Sequence, residues 1–341
     1  MIERDAINPL PVSVIIPTYN RAKLILRSLN SVLATVKPGD EVIVVDDGST
    51  DNTRERLEPY LDRIRYVKGP HRGVGAARNC GVGVARNPLL AFNDSDDEWF
   101  ADKLLLQRTF MRARPDVLFC FSDLGLLAED GTESYHGLYG WHNDSRSWDE
   151  ILGPGGAYSS IAQLPAGRGD FNVHIGNLYP VMLRCNYVAT QSSMVRREQA
   201  GDALRFSEDI AIHEDYECYT RLAKVGRAAY FDCETVWQRG HNDRRVSDAD
   251  ERLRAACRVK VLKRTFGSDR QFLSEHSDLY WKALRVEHAT LARCLLRDGR
   301  RREAREELRM AGGGPLFYRL LAAAPGPLIR AAVGLHRWIR S

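Results

Sequence analysis

Residues 91–99 read AFNDSDDEW, an apolar run that stops at three carboxylates within four positions, Asp94, Asp96 and Asp97. A strand delivering these groups to its carboxyl end sets like charges about one residue rise apart, which is costly unless a cation or hydrogen-bond donors balance them. A hard divalent ion with oxygen ligands meets that need, above all where a diphosphate supplies further oxygens. The stretch also suits a helix start, because Asp97 precedes the helix-like run Glu98 to Arg114 and acidic side chains favour that end. Both readings stand on these nine residues alone.

Working outward, Leu89 to Asn93 is read as the fourth of a series of buried strands. Val12 to Pro17 (VSVIIP) is the first, followed by Thr18, Tyr19 and Asn20, with Asn20 as N-cap of a helix carrying Leu24, Leu29 and Val32 or Leu33. Val42 to Val45 is the second, and Asp46, Asp47, Gly48 and Ser49 turn it into a helix capped near Asp51. Ile64 to Val67 is the third, and GVGAARNCGVGVA from Gly73 reads as a small-residue helix packed closely on a sheet. Strands alternating with helices imply right-handed crossovers and a mainly parallel sheet covered on both faces. Ligands of such sheets sit at the carboxyl ends of the strands, where Thr18 to Asn20, Asp46 with Asp47, and Asp94 to Asp97 converge.

Further along, Val117 to Leu127 is another strand, and a loop-rich insert from Glu129 to about Asn177 follows. Regular structure resumes over Val181 to Val195. IHEDYECYTRLAKVG is a helix with Tyr216, Tyr219, Leu222 and Ala223 on one face, and Ala228 to Trp237 is a last strand. Helices are expected near 250–266, 271–298 and 300–311.

A chain of 341 residues with 44% hydrophobic content supports one large catalytic domain with an appendage. No apolar run approaches the roughly 18 residues of a membrane span, and MIERDAINPL lacks a signal-peptide core, so a cytoplasmic protein is expected. The seven cysteines are scattered without a C-x-x-C pair, against both a disulfide framework and a zinc ribbon. Residues 251–341 hold 20 Lys and Arg against 9 Asp and Glu, whereas residues 1–250 hold 29 against 36. A mildly acidic body with a basic tail points the tail at something anionic, nucleic acid or a phospholipid surface.

A dinucleotide-binding enzyme wants G-x-G-x-x-G after the first strand, and PTYNRAK stands there instead. In order, SVIIPTYNR, VIVVDDGSTDNT, GVGAARNCGV, AFNDSDDEW and HEDYECYTRLA resemble family 2 glycosyltransferases of the GT-A fold, over about residues 11–245. The resemblance implies an α/β architecture, a GT-A Rossmann-like mixed, mainly parallel sheet flanked by helices, with a C-terminal helical appendage. The expected divisions are 1–247 for the catalytic domain (nucleotide-sugar half about 11–127, acceptor half about 128–247), 248–314 for a helical extension and 315–341 for a basic amphipathic tail.

The resemblance further implies a nucleotide-sugar donor, a divalent cation (Mn2+ or Mg2+), and transfer to an acceptor hydroxyl with inversion. By position, Pro17, Thr18, Tyr19, Asn20, Asp46 and Asp47 border the nucleoside, with an aspartate accepting from the base's imide N–H. Asp94 and Asp96 form the D-x-D pair around Ser95, Asp96 facing the metal and Asp94 the ribose or metal. A metal there stabilises the charge of the leaving diphosphate. Arg78 could add positive charge near the diphosphate or pack against the sheet edge. Asp215, beside Glu214, resembles the catalytic base, since direct displacement needs a carboxylate facing the acceptor's proton. Both residues also suit helix caps. His241 lies where relatives place a histidine near the metal, and is otherwise a hydrogen-bonded or surface residue. W-Q-R-G-H replaces the Q-x-x-R-W of polymerising members, which favours single addition.

On the acceptor side, Trp141, His142, Tyr158 and His174 offer ring faces to sugars or serve as packing. In the tail, Leu328, Ala332, Leu335 and Ile339 share a helical stripe with Arg330 and Arg337 opposite and Trp338 alongside. Such a helix suits the inner membrane leaflet or docks on protein. The expected activity is addition of a hexose-type sugar, from a UDP-sugar by family frequency, to a glycan or lipid-linked acceptor in surface polysaccharide assembly. The alternatives are a nucleotidyltransferase, which lacks its phosphate loop here, and a non-catalytic nucleotide-sugar-binding or scaffold subunit. Nucleic-acid binding is disfavoured because the tail's aromatics lie with the apolar stripe.

Overall fold

Val12–Thr18 (β1), the run VSVIIPT, is buried along its whole length, as a strand covered on both faces of a sheet must be. The computed structural model describes residues 10–142, 144–241, 243 and 249–312. β1 pairs in parallel with Glu41–Asp46 (β2), which pairs with Arg65–Lys68 (β3). On its other side β1 pairs in parallel with Leu89–Phe92 (β4).

The crossover helices are Ile25–Leu33 (α1), Thr53–Leu57 (α2) and Val74–Val84 (α3). α3 lies so close to β1 that a Cβ on Gly81 would come within 2.5 Å of Ile15, which explains its small residues. Asn20 is not the cap of α1, which begins five residues later; it sits in the left-handed region at φ 51°. Its Oδ1 instead accepts the backbone N–H of Thr50 at 2.8 Å, tying the turn after β1 to the turn after β2.

The sheet continues through Glu98–Trp99 (β5), Val117–Leu127 (β6), Glu133–Ser134 (β7), Gly156–Ala157 (β8), Asn172–Gly176 (β9), Met194–Arg196 (β10) and Arg227–Arg239 (β11). Its order is β3-β2-β1-β4-β10-β6-β11-β9-β8, with β5 on β11 and β7 on β6. β10 is antiparallel to both β4 and β6, so β6 and its parallel neighbour β11 run the same way as β1 to β4. The mixed, mainly parallel α/β sheet expected from the sequence is present.

The helix expected from Glu98 begins at Lys103 instead (α4, Lys103–Ala113). Glu98 and Trp99 are captured by β11, with Trp99 opposite Val236, and the Trp99 backbone N–H donates to Ser31 Oγ at 3.0 Å. Asp97 is therefore no cap; its Oδ1 faces the Arg239 N–H at 3.4 Å.

The insert after β6 carries Gly137–His142 (α5) and Trp148–Leu152 (α6), the latter closed by a capping box between Ser147 and Glu150. Trp148 stacks on Tyr230 with centroids 3.6 Å apart, and the fully buried Tyr158 donates to the Leu106 carbonyl at 2.8 Å. Tyr179–Met182 (α7), Arg197–Ala200 (α8) and Glu214–Val225 (α9) complete this region. Regular structure over 181–195 is thus limited to the end of α7, a 3-10 turn at Thr190–Ser192 and the start of β10.

The described residues divide into two units, one within 10–209 and 214–243, the other within 210–213 and 249–312. The second contains Glu251–Arg264 (α10), Arg270–Arg297 (α11) and Arg301–Met310 (α12), close to the three expected helices. Asp250 and Asp269 cap α10 and α11 by accepting the N–H groups of Leu253 and Phe272. Leu262, Phe266, Phe272, Leu284 and Leu295 are among its buried residues. The tail 315–341 lies outside the described residues. Among those described, no helix is long and apolar enough to cross a membrane.

Candidate active site

The parallel pairing of β1, β2 and β4 brings their carboxyl-end turns side by side. Thr18 is opposite Asp46, the Asp47 N–H donates to the Thr18 carbonyl at 2.8 Å, and the Asn93 N–H donates to the Ile15 carbonyl at 3.1 Å. Pro17 is buried within β1, and Thr18 Oγ1 is buried with no hydrogen-bond partner among the described residues. Asp46 accepts the Ser49 N–H and the Tyr66 hydroxyl, each at 2.8 Å. Asp47 accepts the Gly73 N–H at 2.7 Å at the start of α3. Both carboxylates thus brace their own turns, and each oxygen keeps a second lone pair for a ligand. Beside them Tyr19 is 45% exposed, its ring 5.4 Å from that of His71, whose Nδ1 is bonded to the Asp47 carbonyl at 2.7 Å.

At the end of β4 the acidic turn is divided between Arg78 on one side and His241 with Arg21 on the other. Asp94 Oδ1 accepts from Arg78 Nη2 at 2.8 Å, while Asp96 Oδ2 lies 2.9 Å from His241 Nε2 and 3.8 Å from Arg21 Nε. Ser95 between them is buried, and Ser28 Oγ holds the Asp94 carbonyl at 2.9 Å. Burial pushes the Asp94 carboxyl above its usual range; Arg78 pulls it down, and Asp96 and Asp215 push it up.

Arg78 is 5% exposed and forks between two turns far apart in sequence. Its Nη1 donates to Glu214 Oε1 at 2.7 Å as Nη2 reaches Asp94. Burial alone would lower its pKa, but Asp94, Glu214 and Asp215 together hold it above the ordinary value. Glu214 is pushed up by burial and then by Asp215, with Arg78 opposing. Asp215 next to it is half-buried; its Oδ2 accepts from Asn186 Nδ2 at 3.1 Å and lies 3.5 Å from Thr190 Oγ1. The result is a line of polar side chains from His241 and Asp96, through Asp94 and Arg78, to Glu214 and Asp215.

Of the acceptor-side candidates, His142, Tyr158 and His174 are buried: His142 packs on Trp148 and Tyr187, and His174 Nδ1 bonds the Gly153 carbonyl at 3.0 Å. They hold the insert to the sheet. Trp141 alone of the four is exposed, at 46%.

Three contributing residues lie outside the set that the sequence singles out. Arg21 immediately follows Thr18 to Asn20 and was within reach of motif reading, but Asn186 and Thr190 lie 29 and 25 residues before Asp215 with no pattern linking them. Elsewhere on the sheet, Asp123, His136 and Asp232 bring ligand-type atoms within 4.8 Å of one another. There the buried Asp123 accepts the Leu124 and Leu138 N–H groups and the Tyr230 hydroxyl, which pins α5 to β6.

Residues 13–142 match the profile of the family described as Glycosyl transferase family 2. The chain is 42% identical over 125 residues to the putative teichuronic acid biosynthesis glycosyltransferase TuaG of Bacillus subtilis, covering 36% of this chain and 49% of that protein. It is 39% identical over 102 residues to the UDP-Glc:alpha-D-GlcNAc-diphosphoundecaprenol beta-1,3-glucosyltransferase WfgD of Escherichia coli, covering 29% and 40% respectively. The matches thus span about half or less of these curated relatives. Among solved structures, S. aureus TarS 1-349 in complex with UDP-GlcNAc superposes with a TM-score of 0.52 at 18% identity, covering 89% of this chain and 90% of that one. That likeness extends the shared fold well beyond the matched segment.

Proposed function

Because this chain carries a family 2 glycosyltransferase domain over residues 13–142, we propose that it moves a hexose-type sugar from a UDP-sugar to a hydroxyl of a glycan or lipid-linked acceptor, in assembly of a surface polysaccharide. The observation that carries this reading is the Arg78 fork, which joins the Asp94 turn to the Glu214–Asp215 turn at 2.8 and 2.7 Å. A donor-binding turn and a candidate base are coupled through one buried cation. The printed activities of the relatives, a teichuronic acid glycosyltransferase and an undecaprenol-linked glucosyltransferase, support the polysaccharide setting.

In this reading the turn after β1 and the Asp46–Asp47 turn receive the nucleoside, with Tyr19 as a ring face and the unpartnered Thr18 hydroxyl as a donor. The residues at the end of β4 fit a divalent ion shared with a donor diphosphate: Asp96 and His241 converge to 2.9 Å, and Asp94 stands on the same turn, a set compatible with Mn2+ or Mg2+. When bound there, such an ion would neutralise the departing diphosphate. Arg78 keeps Asp94 oriented and keeps Glu214 from repelling Asp215's substrate side with an uncompensated charge. Asn186 fixes the Asp215 carboxylate, which takes the proton of the acceptor hydroxyl as its oxygen attacks the anomeric carbon opposite the leaving group. Glu214, tied to Arg78, serves as a positioning group in this scheme.

Calorimetric titration of UDP, GDP and dTDP, with and without Mn2+, tests the donor half. Metal-dependent binding of UDP that Asp96→Asn abolishes is expected. A well-folded protein that binds none of the three would overturn the reading in favour of a scaffold role.

A further inference from the structure

Two residues beyond Asp96 the chain enters the β5–β11 pairing, and beside it lies an open pocket of about 520 Å3 lined by Trp99, Phe100, Asp102, Gly167, Arg168 and Trp237 among others. Its volume falls within the roughly 300–1,000 Å3 of small-molecule sites. The wall is aromatic and its orientation is fixed. Phe100 and Trp237 lie 5.2 Å apart at 42°, and Tyr135, 55% exposed, has its ring 5.5 Å from Trp237. The indole rests on Gly125, where a Cβ would come within 2.2 Å of it, so the ring cannot turn into that face.

Facing these rings is a charged pair that is also held in place. Arg168 Nη1 donates to Asp102 Oδ2 at 3.2 Å, its Nη2 donates to the Glu234 carbonyl at 2.8 Å, and its guanidinium carbon lies 5.8 Å from the Phe171 ring. A guanidinium has five N–H donors in a rigid fork, so the remaining ones keep a set direction. Aromatic faces beside a fixed donor–acceptor pair match a pyranose, which has an apolar C–H face and hydroxyls around its edge. They match a diphosphate less well, because Asp102 would oppose an anion. The placement agrees, since His241 is four residue steps beyond Trp237, at most about 14 Å of extended chain. A short oligosaccharide spans a separation within that limit.

We propose that this pocket binds a pyranose ring of the acceptor glycan, an inner sugar set back from the hydroxyl that is glycosylated. The inference rests on the transferase reading above and adds the acceptor subsite to it. Rings of Phe100 and Trp237 take the sugar face, and Asp102 with Arg168 takes its hydroxyls.

The test is ligand-observed NMR titration of the full chain with methyl β-D-glucopyranoside and methyl N-acetyl-β-D-glucosaminide, run beside a UDP–Mn2+ titration. Saturable binding of at least one glycoside is expected, weakened about tenfold by Trp237→Ala and several-fold by Asp102→Asn, on the scale of one ring contact or one hydrogen bond. UDP affinity should stay within about twofold in both variants. Protein that binds UDP but neither glycoside overturns the subsite alone, as does unchanged glycoside binding in Asp102→Asn. Protein that binds neither UDP nor glycoside overturns the transferase reading and the subsite with it. If Trp237→Ala loses UDP binding through misfolding, Asp102→Asn decides.

Discussion

Arg78→Met removes the cation that bridges the Asp94 turn and the Glu214–Asp215 turn. Arg78 is 5% exposed, and the side chain of Glu214 is 7% exposed, so the substitution strands a buried carboxylate beside Asp215. Breaking a buried pair from one side costs about 3–5 kcal/mol. The Asp94 arm, 30% exposed, adds no more than about 1 kcal/mol after solvent screening. A loss of about 4 kcal/mol lowers the melting temperature of a domain this size by roughly 8–16 °C. The sign with pH follows from Glu214, whose folded pKa already stands above its ordinary value and rises further without Arg78. Stability from such a group is full below the unfolded value and is lost as pH rises through the folded one. The deficit of Arg78→Met should therefore be small near pH 5 and large at pH 8, and Glu214→Gln in the same chain should recover most of it. Scanning calorimetry of wild type, both single variants and the double variant reads all of this. A single variant melting within about 2 °C of wild type at pH 8, or a double variant showing no recovery, would refute the ion-pair reasoning.

Two further substitutions probe the scaffold around the site. Lys103 has no exposure, its Nζ bonded to Gln107 Oε1 at 2.5 Å and to the Ser192 carbonyl at 3.2 Å, and burial pushes its pKa down to about 7. Between about 7 and its ordinary 10.5 the unfolded chain binds a proton that the folded chain does not, so stability should climb with pH there by about 1.4 kcal/mol per unit. Lys103→Met should remove that slope in melts taken from pH 7 to 10, and an unchanged slope would assign it elsewhere. Gly125→Ala sets a methyl 2.2 Å from the Trp237 ring and should cost about 1–3 kcal/mol by urea unfolding while displacing the indole, visible as a shift in its fluorescence. Wild-type stability and emission would mean that β11 gives way freely.

The parallel half of the sheet was legible because its signals are local and mutually consistent. VSVIIP, EVIVV and LLAF are continuous apolar runs, each followed by polar turn residues, and small residues from Gly73 announced close helix packing. That same logic places Thr18, Asp46 and Asp94 at one edge of the sheet. It failed where tertiary pairing overrides propensity. Glu98 and Trp99 look helical by neighbourhood, yet β11, more than 130 residues later, claims them as a strand. Asn20 looks like a cap, yet its side chain serves the neighbouring turn. For His142, Tyr158 and His174 the sequence leaves sugar contact and packing equally open, because burial cannot be read from an irregular insert; each is spent on packing it. The same limit hid Phe100 and Trp237, which meet only through β5 and β11, and Asn186, which reaches Asp215 across a turn of no regular spacing.

Turnover of a panel of UDP-hexoses in the presence of Mn2+ and a lipid-linked saccharide extract, by wild type and by Asp215→Asn, tests the central claim most directly. Wild type should consume one UDP-hexose and yield a glycoside of inverted anomeric configuration, while Asp215→Asn slows transfer by about a hundred- to ten-thousand-fold with UDP affinity unchanged. Transfer at the wild-type rate by Asp215→Asn, or retention of configuration in the product, would contradict it.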